Sequence, residues 1–178
     1  GCAMQLGIAL ETAAAALVTA KGVKGRVEVV PTPGKPYTVL IDYAHTPDGL
    51  ENVLSSVRGF CKGRLIAVFG CGGDRDRKKR PIMGQIGVRL ADIAVITSDN
   101  PRTEVPVAII QDILAGVGDA QNFVAIENRV DAIHYAMEIA GKDDIIVLAG
   151  KGHETYQEVM GVKHHMDERE IVAEYLEN

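Results

Sequence analysis

Cysteine is scarce in this sequence and unevenly placed. Cys2, Cys61 and Cys71 are an odd number at irregular spacing. That excludes a disulfide framework and fits a reducing, cytoplasmic setting. A charged start followed by a short apolar run, the mark of a secretory signal, is also missing. The least polar long run, Met4 to Ala20, carries Gln5, Glu11 and two Thr and is built from Ala. It reads as a packed helix, because a membrane span needs roughly 20 strongly apolar residues. Basic charge is not in excess: 19 Lys and Arg against 24 Asp and Glu leave a net −5 over 178 residues. A basic nucleic-acid scaffold is excluded as the default reading. With 47% hydrophobic residues, so is intrinsic disorder. Two phosphate-binding signatures are absent as well. No Gly-x-x-x-x-Gly-Lys-Ser/Thr run occurs, and no Gly-x-Gly-x-x-Gly follows the first strand. The latter counts against a dehydrogenase.

What is present is a rhythm. Residues 3–20 predict an Ala-rich helix, closed by a Lys-Gly-Val-Lys-Gly stretch at 21–25 that looks like a domain boundary. Arg26–Val30 is a short β-branched run, followed by a turn at 31–36. Five nearly continuous apolar runs then alternate with amphipathic stretches: 37–42, 64–70, 93–97, 123–127 and 144–150. Such runs mark strands buried on both faces of a parallel sheet. Thr46-Pro47, Pro81 and Pro106 signal helix starts. Asp167 with Glu170 resembles a capping box opening the last helix. Residues 157–160 and 163–166 read as a small hairpin around Gly161. The fold class is α/β, a doubly wound and mostly parallel sheet.

Ligands of such sheets bind at the carboxyl ends of the strands. The chemically loaded segments fall there: 42–48, 71–80, 98–102 and 151–154. Residues 74–80 hold five cations against two anions, net +3, after Gly72-Gly73 and before a helix. An anion site and a solvated basic loop are both open readings. Asp99-Asn100-Pro101-Arg102 offers a carboxylate for an ammonium and a guanidinium fork for a carboxylate, which together suit a zwitterionic amino acid. The alternative is a turn with Arg102 on the surface. Glu154, beside flexible Gly, can hold a substrate cation. His45 reads as a contact to a nucleotide or as a helix cap. Cys71 reads as a small buried thiol rather than a nucleophile. His134 reads as structural or surface. His164-His165 lacks supporting ligands for a metal.

Taken in order, Asp42-Tyr43-Ala44-His45-Thr46-Pro47, Gly70-Cys71-Gly72-Gly73-Asp74-Arg75-Asp76, Asp99-Asn100-Pro101-Arg102 and Gly150-Lys151-Gly152-His153-Glu154 closely resemble the Mur ligases of peptidoglycan synthesis. Arg26 fits that family's Gly-Arg segment before the C-terminal domain. The resemblance implies a Rossmann-like C-terminal domain over 26–178. It also implies that residues 1–25 are the last helix and linker of an ATP-binding central domain, a small remnant of a longer chain; the Gly1-Cys2 start fits such a truncation. It implies an ATP-dependent amide-forming ligase that adds meso-diaminopimelate to UDP-N-acetylmuramoyl-L-alanyl-D-glutamate. In that branch the Asp-Asn-Pro-Arg string recognises meso-diaminopimelate, and lysine-adding relatives usually lack its Arg. Lysine-adding and folate-related ligases, and a noncatalytic nucleotide- or amino-acid-binding module, are the alternatives.

Carried over by position, Arg75, Asp99, Asn100, Pro101, Arg102, Gly150 and Glu154 should bind meso-diaminopimelate. Arg26, Asp42 and His45 should face ATP. No catalytic or metal residue is expected within this chain. ATP and Mg2+ belong to the full-length enzyme, whose P-loop, metal carboxylates and UDP-binding domain lie upstream in the family. The fragment alone should need no cofactor and be inactive, with no nucleic-acid or membrane partner. One departure is Lys78, where the family usually has Gly.

Overall fold

The computed structural model describes residues 2–18 and 22–177. Eight strands and seven helices follow in chain order among them. They are α1 (Cys2–Gln5), α2 (Leu10–Val18), β1 (Glu28–Val30), β2 (Thr38–Asp42), α3 (Pro47–Arg58), β3 (Leu65–Phe69), α4 (Lys79–Leu90) and β4 (Ile93–Ile96). After them come α5 (Pro106–Leu114), β5 (Phe123–Ala125), α6 (Arg129–Ile139), β6 (Ile145–Ala149), β7 (Tyr156–Val159), β8 (Val162–His165) and α7 (Glu168–Glu177). Six strands form one sheet in the order β1-β2-β6-β3-β4-β5, with only β1 antiparallel. The sheet is the doubly wound one that the apolar runs predict.

Alternation along the strands builds two cores. In β3, Leu65, Ala67 and Phe69 join the cluster beneath α3, α4 and α5. Ile66 and Val68, one residue out of step, join the cluster beneath α6 and α7. Both faces are covered, which is why β3 and β6 are buried at all five positions. Helix α3 inserts Leu50, Val53, Leu54 and Val57, spaced 3, 4 and 7 apart, into the first core. At about 1.5–3 kcal/mol per side chain, that stripe contributes roughly 6–12 kcal/mol of gross apolar transfer energy. Thr46 caps the helix by accepting from Gly49 N at 3.2 Å, with Pro47 in its first turn.

Chain order explains where a ligand fits. From β2 the chain passes to β3, β4 and β5 in one direction, then returns to lay β6 between β2 and β3. The carboxyl end of β6 therefore opens between the loops that follow β2 and β3. This is the topological switch point of an open α/β sheet.

Several local expectations need correction. The single packed helix over 3–20 is instead two short helices, broken at 6–9, where Gly7 takes φ +80°. Neither helix buries a residue among those described. Residues 19–21, the expected end of that helix and the first Lys of the closing stretch, lie outside the described residues. Pro81 is the third residue of α4 rather than its opening one, in the first turn where a missing N–H costs no intrahelical bond. The hairpin pairs 156–159 with 162–165, one residue earlier than expected on both strands. Asp167 does cap α7, accepting from Arg169 N at 3.0 Å. Glu170 does not complete a capping box; its carboxylate is hydrogen-bonded to His165 Nε2. Among the described residues no helix is long and apolar enough to cross a membrane.

Candidate functional site

Four loops at the carboxyl edge of the sheet enclose a cavity of about 310 Å³. The β2–α3 loop gives Tyr43, His45 and Thr46; the β3–α4 loop gives Gly72, Arg75, Asp76 and Lys79. The segment after β4 gives Asp99 and Arg102, and that after β6 gives Gly150 and Glu154. Five of the seven residues expected to bind an amino acid thus share one hollow: Arg75, Asp99, Arg102, Gly150 and Glu154. Two guanidiniums meet two carboxylates there. This pairing complements a molecule bearing both carboxylate and ammonium groups.

The remaining two do not face the cavity. Asn100 is buried behind it, and both ends of its amide are held by protein partners. Its Oδ1 accepts from Lys151 Nζ at 3.0 Å and from Glu158 N at 2.9 Å, while its Nδ2 donates to Glu154 at 2.8 Å. Pro101 lines a neighbouring hollow with Ser98 and Gln157. Asn100 therefore fixes the Glu154 carboxylate, and Pro101 shapes the turn.

Backbone geometry explains the residue types. Gly150 has φ +120°, and a Cβ there would stand 3.0 Å from Asp99 Oδ2. A Cβ on Gly72 would press on Arg102 Nη1 at 2.7 Å. Arg102 itself is left-handed at φ +52°. It is held there by its amide donating to Glu158 O at 3.0 Å and its Nη1 donating to Gly73 O at 2.8 Å. It is therefore no free surface residue: Nη1 is anchored on Gly73 O, Nε lies 3.8 Å from Glu158 Oε2, and the side chain lines the cavity.

The basic loop is less free than its charge suggests. Arg80 is completely buried, donating to Glu104 at 2.9 and 2.7 Å and to Asp112 at 2.9 Å. Arg77 pairs with Asp112 at 3.1 Å. Lys79 Nζ donates to His45 O at 2.7 Å. Of the five cations, Arg75 and Lys79 line the cavity. Hydrogen bonds from Arg80 and from Asp74 N hold the Glu104 carboxyl well below the usual range, at about 2. Glu104 and Asp74 also tie the two Arg-bearing segments together, since Asp74 Oδ1 accepts from Thr103 Oγ1 at 2.7 Å. Lys78 has φ −64°, so a side chain is accommodated without strain.

The residues expected to face ATP divide. His45 lines the main cavity, with Nδ1 2.8 Å from Tyr43 O; Thr46, not His45, caps α3. Arg26 and Asp42 line a separate hollow of about 290 Å³ with Asn52 and Ser56. The Arg26 guanidinium lies 5.1 Å from the Tyr43 ring centre. Asp42 accepts from Val27 N and Ala44 N, both at 2.8 Å, so each carboxylate oxygen already holds backbone.

Cys71 is buried, and desolvation pushes its thiol up to about 12. That matches an inert thiol rather than a nucleophile. His134 rests 5.1 Å from the Tyr175 ring. Among the described residues no three His, Cys, Asp or Glu side chains converge as a metal site requires.

Sequence reasoning passed over two buried cations behind the site. Lys151 is fully buried, 3.3 Å from Glu154 and 3.7 Å from Asp99. Arg129 donates to Glu168 at 2.9 Å and to Ala149 O at 2.9 Å, pinning the end of β6. Lys151 carried a signal, a cation directly after an all-apolar strand; Arg129, at the start of a helix, carried none.

The family model described as Mur ligase, glutamate ligase domain, matches residues 25–152. The chain belongs to the Mur ligase family. It is 54% identical over 177 residues to a UDP-N-acetylmuramoyl-L-alanyl-D-glutamate–2,6-diaminopimelate ligase of Clostridium botulinum, covering 99% of this chain and 36% of the relative. A Clostridium acetobutylicum ligase of the same name is 57% identical over 172 residues, covering 96% and 35%. A solved structure of a ligase of that name superposes with a TM-score of 0.83 at 40% identity, covering 99% of this chain and 36% of that one. The chain thus spans about a third of the length of the relatives it matches.

Proposed function

We propose that this chain is the acceptor-binding, C-terminal part of a ligase of peptidoglycan synthesis. That ligase adds meso-diaminopimelate to UDP-N-acetylmuramoyl-L-alanyl-D-glutamate at the expense of ATP. The observation that carries this reading is the cavity in which Arg75 and Arg102 stand against Asp99 and Glu154. Diaminopimelate has two carboxylates where lysine has one, and two guanidiniums match that count. Arg102 bears on the second carboxylate; Asp99 and Glu154 bear on an ammonium.

The family reaction begins with transfer of the ATP γ-phosphoryl group to the D-glutamate side-chain carboxylate. The neutral amine of the acceptor attacks the acyl carbon, its proton is lost, and the tetrahedral intermediate expels phosphate to leave an amide. This chain supplies positioning: it holds the acceptor head so that the amine is presented to the acyl phosphate. Arg26 and His45 present donors toward the nucleotide. Asp42 acts at one remove, by fixing the backbone of Val27 and Ala44. Residues 1–25 belong to the preceding ATP-binding domain, a reading supported by the absence of any buried residue in helices α1 and α2. Magnesium accompanying the nucleotide is held outside this chain, and the setting is cytoplasmic.

The test is phosphate release by the full-length protein with ATP and the UDP-linked dipeptide. Meso-diaminopimelate should support turnover and lysine should not. Equal use of the two acceptors would overturn the assignment. The 178-residue chain alone should release no phosphate.

A further inference from the structure

Among the described residues Lys151 is the one fully buried lysine, and nothing about the acceptor's two carboxylates calls for it directly. Its Nζ donates to Asn100 Oδ1 at 3.0 Å and lies 3.3 Å from Glu154 and 3.7 Å from Asp99. Asn100 in turn donates to Glu154 at 2.8 Å. The two carboxylates that face the ligand are therefore oriented by one buried cation and one amide. The Tyr156 ring, 5.5 Å from Nζ, covers the ammonium on another side.

The charge count gives this arrangement a consequence. Along the cavity wall Arg75, Lys79 and Arg102 cancel Asp76, Asp99 and Glu154. Lys151 stands directly behind that wall and offsets Glu158, whose carboxylate lies 3.8 Å from Arg102 Nε, so the local balance is neutral with Lys151 and one negative charge without it. Diaminopimelate, with two carboxylates and two ammoniums, carries no net charge. Lysine, with one carboxylate and two ammoniums, carries a positive one. A neutral site gives the second no electrostatic advantage over the first. Without Lys151 the site, Glu158 included, would carry one net negative charge, which invites a cation.

We infer that Lys151 is a specificity-determining residue: it cancels the negative charge left around Asp99, Glu154 and Glu158 and so denies an advantage to acceptors that carry a net positive charge. The inference rests on the acceptor assignment proposed above and extends it beyond the two arginines. Selectivity then comes from a cancelled charge as well as from the attractive arginine contacts.

The experiment is calorimetric titration of the full-length protein, unmodified and Lys151→Met, with meso-diaminopimelate and with lysine at low ionic strength. Met keeps the volume and removes the charge. The ratio of the lysine Kd to the diaminopimelate Kd should fall by about tenfold in Lys151→Met, the scale of one charged hydrogen bond. A purely structural role would weaken both ligands together and leave the ratio unchanged; that result overturns the inference alone. Failure of the unmodified protein to bind diaminopimelate overturns the acceptor assignment and the inference with it. Should Lys151→Met not fold, as read by its thermal melt, a third ligand decides on the unmodified protein. 2-Aminopimelate has two carboxylates and one ammonium and a net negative charge. It should bind more tightly than lysine, and the reverse order refutes the charge rule.

Discussion

Replacing Glu104 by Gln removes one negative charge from the cluster that anchors the β3–α4 loop. The carboxylate accepts twice from the fully buried Arg80 and once from Asp74 N. Its pKa is lowered from 4.5 to about 2, chiefly by the Arg80 hydrogen bonds. At about 1.4 kcal/mol per unit, that shift corresponds to roughly 3 kcal/mol of stability. Glu104 keeps 22% of its side chain in solvent, so screening reduces the figure to about 2 kcal/mol. Gln retains an acceptor for Asp74 N and Arg80 Nη2 but sets its amide N–H2 toward Arg80 Nη1, so one Arg80 hydrogen bond goes with the charge. Because the folded-state pKa is depressed, the contribution is full above the unfolded value of 4.5 and is lost as pH falls toward about 2. Urea unfolding should therefore place Glu104→Gln about 2 kcal/mol below the unmodified chain at pH 7. Near pH 3 the gap should shrink to under about half that value, since most of the titration then lies behind. Other carboxylates titrate in both proteins and cancel in the difference. A gap of equal size at both pH values would refute the reasoning, as would no gap at pH 7.

Arg102→Ala in the full-length protein should raise the acceptor KM about 10- to 100-fold, the scale of a charged hydrogen bond of about 1.5–3 kcal/mol. The KM for ATP should stay within about twofold; an unchanged acceptor KM would remove Arg102 from the site. Alkylation of the folded chain at pH 8, followed by peptide mass spectrometry, should label exposed Cys2 and spare Cys71, whose thiol burial pushes up to about 12. Equal labelling of the two would show that Cys71 is accessible.

The central strands were legible because burial on both faces forces an unbroken apolar run. β3 and β6 announce themselves by that rule alone. The convergence of the four loops was legible for a related reason, since a parallel sheet puts every strand exit on one edge. The roles within that edge were less so. Asn100 and Asp42 look like ligand contacts in sequence, yet both spend their polar atoms on protein partners. The cations of 74–80 form one block in sequence, and only the fold brings Glu104 and Asp112 to Arg80. The helix expected over 3–20 failed for another reason. Its Ala-rich pattern says helix, but helical stability comes mainly from packing, and neither short helix buries a described residue that would override the break at Gly7.

The buried cations missing from the sequence reading explain how the site keeps its shape. Arg129 reaches Ala149 O at 2.9 Å and Ser98 O at 3.4 Å, so the exits of β6 and β4 start from a common point. Lys151 then joins Asn100 and Glu154, one on each of those exits. Arg80 does the same for the β3 exit through Glu104, which also holds Asp74. A buried ion pair is weak evidence for stability, because desolvation offsets much of the attraction. Its value here is geometric. Each pair joins two loops that the sheet only brings near one another, and removes their freedom to drift. The groups facing the ligand are thereby preorganised, and the ordering cost falls on folding rather than on binding.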